Sequence, residues 1–513
     1  MRLTTSYADF AADRVTQKIV PVCRELFADA DTPVSIYRKL TGGRSGTFLL
    51  ESAAQGIFDR YSFVGVQSFG VLTERQGKAH WEPNLALPNP VDENRLLPGG
   101  VSHLDPVAAV AAVYNHWEGS THPELPPLVS GFVGYLGWES VVEFENIQPQ
   151  SDDEPLVPRQ YLGFVADLAV IDHREGTVTL VANVLTDNDL SEAEAESQWQ
   201  LAQQRLDVMQ EALREAAATP VGVIDKEIVA EAVRRTSQEE FFAGVARTKQ
   251  HIIDGDAFQV VLSQRFELEN HADPLDVYRV LRHLNPSPYL YLLSASDASG
   301  APFAVVGSSP EALITVQGEQ VLTHPIAGSR PRGANPDEDA ALAAELLADQ
   351  KERSEHLMLV DLSRNDLSRV CEPGSVAVTE FMEIERFSHV THISSTVEGK
   401  LRADCSPVDA LVATFPAGTL SGAPKPWALR IINDLEPVRR GVYGGVVGYF
   451  GLGGNADLAI AIRTATLKGD TAYVQAGAGL VADSDPVSED AECRNKAAAP
   501  LRAVAIANTL RAA

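Results

Sequence analysis

Cysteine is scarce: four residues in 513, at Cys23, Cys371, Cys405 and Cys493, with no CxxC pair among them. This usage excludes a disulfide framework, argues against a structural zinc site and fits a reducing compartment. Basic residues are also in short supply, 42 Lys and Arg against 70 Asp and Glu, for a formal charge of −28. Nonspecific binding to nucleic acid or anionic membrane needs basic patches that this balance disfavours. An anionic substrate needs only local positive charge. No stretch reaches eighteen apolar residues, and the N-terminal MRLTTSYADFAADRV has no apolar core of signal-peptide length, so a cytoplasmic location is expected. Also missing are a GxGxxG run between strand and helix, a GxxxxGK loop, any fixed-period repeat and any low-complexity tract, which argues against dinucleotide and P-loop folds.

What remains is an ordinary globular composition, 45% hydrophobic and 22% charged, with ample core. Residues 1–30 read as an amphipathic helical start. Phe48-Leu49-Leu50 reads as a buried strand ending at Glu51-Ser52, and residues 162–185 as a hairpin turning at Gly176. Residues 191–216 form an acidic, Ala/Gln-rich helix in which Ser191 and Glu194 fit a capping box. The end of that helix and the following ATPVGV divide an N-terminal part, 1–220, from a C-terminal part, 221–513. Ser237 is expected to cap a helix through Ile253, with AFQVVLSQRFEL as the next strand. EALITV and VLTHPI, and likewise DLAIAIRTATL and TAYVQAG, are joined by connections too short for a parallel crossover, so each pair is antiparallel. Helices are expected at 337–371, 425–435 and 488–510. The fold class is α+β, with large, mainly antiparallel sheets.

Two carboxylate pairs stand out. Glu352 and Glu355 in ERSEH, and Glu489 and Glu492 in SEDAECRNK, are each three apart and share a helix face. They are either solvated faces or two sets of hard oxygen donors able to hold magnesium, with positions left for an anionic substrate and water. Three turn-rich motifs accompany them: PIAGSRPRG at 325–333, AGTLSGAPK at 417–425 and QAGAG at 475–479. Their glycines and hydroxyls are either tight turns or places where backbone amides approach an anion.

In order along the chain, LLES, DAFQVVLSQRF, NPSPYL, VGSSPEAL, PIAGSRPRG, ERSEHLMLVDLSRND, FSHVTHISS, PAGTLSGAPK, YGGVVGY, AIRTA and QAGAGLVADSDP resemble the chorismate-utilising enzymes, specifically the large components of anthranilate synthase. The resemblance implies sheets in a layered sandwich with helices outside, and conversion of chorismate and ammonia to anthranilate and pyruvate. It implies Mg2+ at Glu355 and Glu492, with Glu352 and Glu489 in support and one carboxylate holding the general-acid proton. His392 would act in the elimination step, while His389 is read as structural. Arg463 and Tyr449 would take the enolpyruvyl carboxylate beside Gly477, Ala478 and Gly479. Gly328, Ser329 and Thr419 would line the ring, and Lys496 is either a charge complement to the carboxylates or a solvated surface residue.

Where water-adding relatives carry a base lysine, this sequence has Gln259. Aminodeoxychorismate synthases, the alternative reading, carry a nucleophilic lysine in PIKGT; here Ala327 cannot form that adduct. Glu51 and Ser52, with Asn285, Pro288, Tyr289 and Leu290, resemble the two pieces of a tryptophan feedback site. No cysteine sits in a nucleophile elbow, so a separate glutamine amidotransferase subunit is expected to deliver ammonia, in a heterotetramer.

Overall fold

Two long strands, Tyr61–Arg75 and Gln160–Asp172, each belong to two sheets at once. Their mutual register slips between Gly65 and Gly70, and bulges of this kind let a strand turn from one sheet into another. The computed structural model describes residues 4–52, 60–119, 124–145, 147, 156–187, 190–215, 222–225, 227–386 and 390–510.

From that corner the first sheet runs one way to Thr177–Leu185 and Ile19–Phe27. The other way it passes through Thr47–Glu51, Tyr289–Ser296, Pro302–Ser309, Thr464–Lys468 and Thr471–Leu480 to Gln259–Glu269. The second sheet runs through Gly131–Leu136, Val446–Gly451, Ala456–Ile460, Ala312–Gln317 and Gln320–Thr323 to Val390–Lys400, along which Ile326–Pro331 and Ala377–Arg386 also pair. Among the described residues every pairing of these strands is antiparallel. Strands from both parts of the chain alternate: Thr47–Glu51 pairs with Tyr289–Ser296, and Gly131–Leu136 with Val446–Gly451.

Phe48, Phe63, Tyr291 and Val305 on the first sheet meet Val133, Tyr135, Val447 and Tyr449 on the second in one buried cluster. Each such side chain contributes roughly 1.5–3 kcal/mol by leaving water. Pro274–Leu284 and Pro486–Ala507 cover the outer face of the first sheet. Pro106–Trp117, Pro407–Thr414 and Lys425–Leu435 cover the second. These are the antiparallel sheets that the short connections predict, in the layered sandwich with helices outside that the resemblance implies. Among the described residues no helix is long and apolar enough to cross a membrane.

Local signals are met where they are strong. Ser191 and Ser237 cap Glu192–Arg214 and Gln238–Ile253 with reciprocal capping boxes, and Gly176 turns its hairpin at φ 66°.

Three expectations are corrected. Among the described residues of 1–30 only Tyr7–Asp13 is α-helical, and Ile19–Phe27, rich in β-branched residues, is a strand buried over Ile19–Cys23. The helix expected over 337–371 is two, Pro336–Ala348 and Gln350–Ser368, because the Asp349 carboxylate caps the second by accepting the amides of Lys351 and Glu352. DLAIAIRTATL is not one strand: Ala456–Ile460 lies in the second sheet and Thr464–Lys468 in the first, with the crossing at Arg463.

Candidate active site

The two carboxylate pairs lie on Gln350–Ser368 and Pro486–Ala507. Burial, and then the neighbouring Glu355 charge, raise the proton affinity of Glu352. Burial also raises that of Glu489, with Glu492 pushing the same way and Lys351 and Lys496 opposing. Lys351, beside Glu352 in sequence, thus acts on the opposite pair, which puts the two pairs within electrostatic reach of each other. Gln259 Nε2 donates to Glu355 Oε1 at 3.0 Å, and Lys496 Nζ pairs with Glu492 at 2.7 Å. Among the described residues no three such side chains converge as a closed metal cage. Within each pair one carboxylate raises the proton affinity of its neighbour, a crowding that a cation would relieve, and magnesium needs only one or two carboxylates when water and an anionic substrate complete its shell.

His392 sits beside these pairs. Its Nδ1 donates to the Gly328 carbonyl at 2.7 Å, which leaves the ring lone pair on Nε2. Burial, with Arg463 and Lys496 nearby, lowers its proton affinity and keeps the ring neutral. Gly328 has φ 65°, and a Cβ there would lie 3.1 Å from Glu352 Oε2, so the turn and the acid are in contact. Ser329 follows at an exposed position. His389 lies outside the described residues.

Thr419 Oγ1 donates to Glu311 Oε1 at 3.2 Å. Glu311 is buried, and that burial pushes its carboxyl up to about 8 against the pull of Thr419 and Lys496. Sequence reasoning missed Glu311 as a site residue; its signal was a lone carboxylate directly before the apolar strand Ala312–Gln317.

Lys496 Nζ also donates to Gly477 O at 3.1 Å, which ties its 41% exposed side chain to the Gly477 strand. Gly477 pairs with Ser263 on one side only, because the neighbouring strand ends its pairing at Val474. Backbone groups of alternate residues point the same way in an antiparallel strand, so Gly477 and Gly479 both turn their amides to the open edge. A Cβ at Gly479 would lie 2.5 Å from Gln259 Nε2. Ala478 points the other way, into an apolar cluster with Phe241, Val245 and Cys493; as a substrate contact its side chain is corrected. Arg463 donates to Lys496 O at 3.1 Å, and it feels the charges of Tyr443 and Glu492.

Tyr449 is not brought to Arg463. Its ring lies 5.7 Å from that of Phe63 in the core between the sheets. Tyr443, six residues earlier in YGGVVGY, takes that place: a Cβ on Gly477 would lie 2.9 Å from its hydroxyl. The motif carries two tyrosines, and the fold decides between them.

The two candidate feedback segments do meet. Leu50, Glu51, Ser52, Pro288, Tyr289 and Leu290 border a cavity of about 70 Å³ with Tyr449 and Asp457, and Tyr289 Oη donates to Asp457 Oδ1 at 2.9 Å. Glu51 and Leu290 are opposite each other in register, and both face the outer helices instead. The Glu51 carboxylate accepts Tyr278 Oη at 2.5 Å and Arg282 Nη2 at 2.8 Å, while Leu290 packs in the outer core. Their side chains thus turn outward, while both residues still border the cavity. Asn285 Nδ2 donates to Ser308 Oγ at 3.1 Å.

Residues 72–502 match the profile of chorismate binding enzymes. The chain belongs to that family. Anthranilate synthase component 1 of Arthrobacter globiformis is 51% identical over 502 residues, covering 96% of this chain and 91% of that protein. That of Mycolicibacterium smegmatis is 48% identical, covering 99% and 95%. Anthranilate synthase component I of Streptococcus pneumoniae superposes with a TM-score of 0.71 at 34% identity, covering 87% of this chain and 93% of that one. The menaquinone-specific isochorismate synthase of Escherichia coli, at 18% identity and a TM-score of 0.69, shares the fold.

Proposed function

We propose that this chain is the large component of an anthranilate synthase, converting chorismate and ammonia to anthranilate and pyruvate. The observation that carries the reading is one chain of contacts: Lys496 joins Glu492 to Gly477, Arg463 joins Lys496, and His392 is held by Gly328 against Glu352. Arg463, Lys496 and Tyr443 bind the enolpyruvyl carboxylate of a substrate that must be neutralised locally in a chain of charge −28. Gly477 and Gly479 offer amides, and Gly328, Ser329 and Thr419 border the ring. Ammonia adds to the ring as the ring hydroxyl departs, taking the Glu311 proton to leave as water. His392 Nε2 then removes the ring proton at the amine-bearing carbon, and the ether C–O bond breaks. The ring becomes aromatic and the enolpyruvyl group leaves, gaining a proton to become pyruvate. Magnesium, held by Glu355 and Glu492 with Glu352 and Glu489 behind them, would supply positive charge to the bound dianion. Gln259, which cannot serve as a base, favours ammonia over activated water.

A separate glutamine amidotransferase subunit supplies the ammonia in the cytoplasm, in a heterotetramer. Tryptophan binds where Ser52 of the 1–220 part meets Pro288 and Tyr289 of the 221–513 part, and weakens chorismate binding by linkage. The test is direct. With chorismate, Mg2+ and ammonium, the chain forms fluorescent anthranilate and tryptophan suppresses it. No product at any ammonium concentration overturns the reading.

A further inference from the structure

Arg463 is one of three non-glycine residues with positive φ among the described residues, at 53°. An L-residue in this region costs about 1–2 kcal/mol, so its surroundings must hold it there. Its φ and ψ are the angles between the two flanking peptide planes, and each plane is pinned by one hydrogen bond. The carbonyl of the first, Ile462 O, accepts Thr464 Oγ1 at 2.8 Å. The carbonyl of the second, Arg463 O, accepts the Ser308 amide at 3.2 Å. Thr464 has a single hydroxyl proton and gives it to Ile462, so its 2.5 Å contact with Tyr291 Oη has Tyr291 as the donor.

Tyr291 reaches Thr464 across a whole strand. Tyr291, Gly307 and Thr464 are in register on three neighbouring strands. The Tyr291 ring covers Gly307, where a Cβ would lie 2.2 Å from the ring, so only glycine leaves the path open. Tyr291 and Ser308 are both buried, and water does not compete for these bonds.

We propose that Tyr291 and Thr464, with the Ser308 amide, are positioning residues that clamp Arg463 in its left-handed conformation and so aim its guanidinium at the substrate carboxylate. The proposal rests on the assignment of Arg463 to chorismate made above. Tyr291→Phe and Thr464→Val each remove one hydroxyl and leave the packing. Each raises KM for chorismate about tenfold, with kcat within about twofold, while Thr464→Ser, which keeps the hydroxyl, restores the parent KM. A purely structural role would lower the active fraction, and with it the apparent kcat, without moving KM. Arg463→Ala is measured alongside and raises KM further. If Arg463→Ala has a raised KM but Tyr291→Phe and Thr464→Val keep the parent value, or if Thr464→Ser behaves as Thr464→Val, the clamp is overturned alone. If Arg463→Ala itself keeps the parent KM, the substrate assignment falls and the clamp's purpose falls with it.

Discussion

The Thr419 hydroxyl donates to the carboxyl of Glu311 at 3.2 Å, in a site where burial pushes that carboxyl from 4.5 up to about 8. At neutral pH Glu311 therefore carries a proton it can give, and above about 8 it does not.

Two outcomes follow for activity. The kcat/KM profile of the parent falls as pH rises through about 8, and Glu311→Gln lowers kcat by roughly 10²–10⁴-fold with its circular dichroism unchanged. The sign for stability is the reverse of a salt-bridged acid. The raised affinity imposes no penalty below 4.5, and the penalty grows from there up to about 8. Glu311→Gln should thus gain thermal stability over the parent at pH 8 more than at pH 5.

The two tyrosines of YGGVVGY make a paired test. Tyr443→Phe should raise KM for chorismate about fivefold, the worth of one hydrogen bond of about 1 kcal/mol. Tyr449→Phe, altered in the core between the sheets, should leave that KM within error. Steady-state kinetics on the two proteins side by side decide it; a larger effect at Tyr449 would reverse the correction.

Removing either metal-facing acid should silence the enzyme without unfolding it. Glu355→Ala and Glu492→Ala are expected to lose at least about 100-fold in turnover, and excess Mg2+ should not restore it. Turnover near the parent value for either protein would refute the assignment.

Glu51 offers a stability test away from the chemistry. Its carboxylate is held by Tyr278 and by an Arg282 side chain that is 44% exposed, so solvent screening discounts the pair. Glu51→Gln should cost about 1–2 kcal/mol in chemical denaturation, with kcat and chorismate KM unchanged.

The sequence disclosed those features that depend on neighbours within a turn or a strand. The Ser191 and Ser237 caps, the Gly176 hairpin and the i, i+3 acids are local, and they stand where periodicity and capping chemistry put them. Asp349 was equally local: a good capping residue inside a helical run. The crossing at Arg463 was not legible, because apolar alternation continues through it and nothing in AIRTA marks a change of sheet. The choice of Tyr443 over Tyr449, and the outward turn of Glu51 and Ala478, depend on which face a strand buries, and that is set by partners hundreds of residues away. Glu311 is the clearest case. A carboxylate becomes an acid at pH 7 only once the fold has removed its water.

The corner described at Gly65–Gly70 has a mechanical consequence. Two sheets that share continuous strands cannot slide past each other without breaking covalent bonds or whole ladders. The soft motion left to them is a change in the angle at which they meet. The stretch 461–463 ties the same two sheets together a second time, and it ends at the arginine assigned to substrate. The space between Ser52, Tyr289 and Asp457 is walled by residues of both sheets, so it lies in the angle between them.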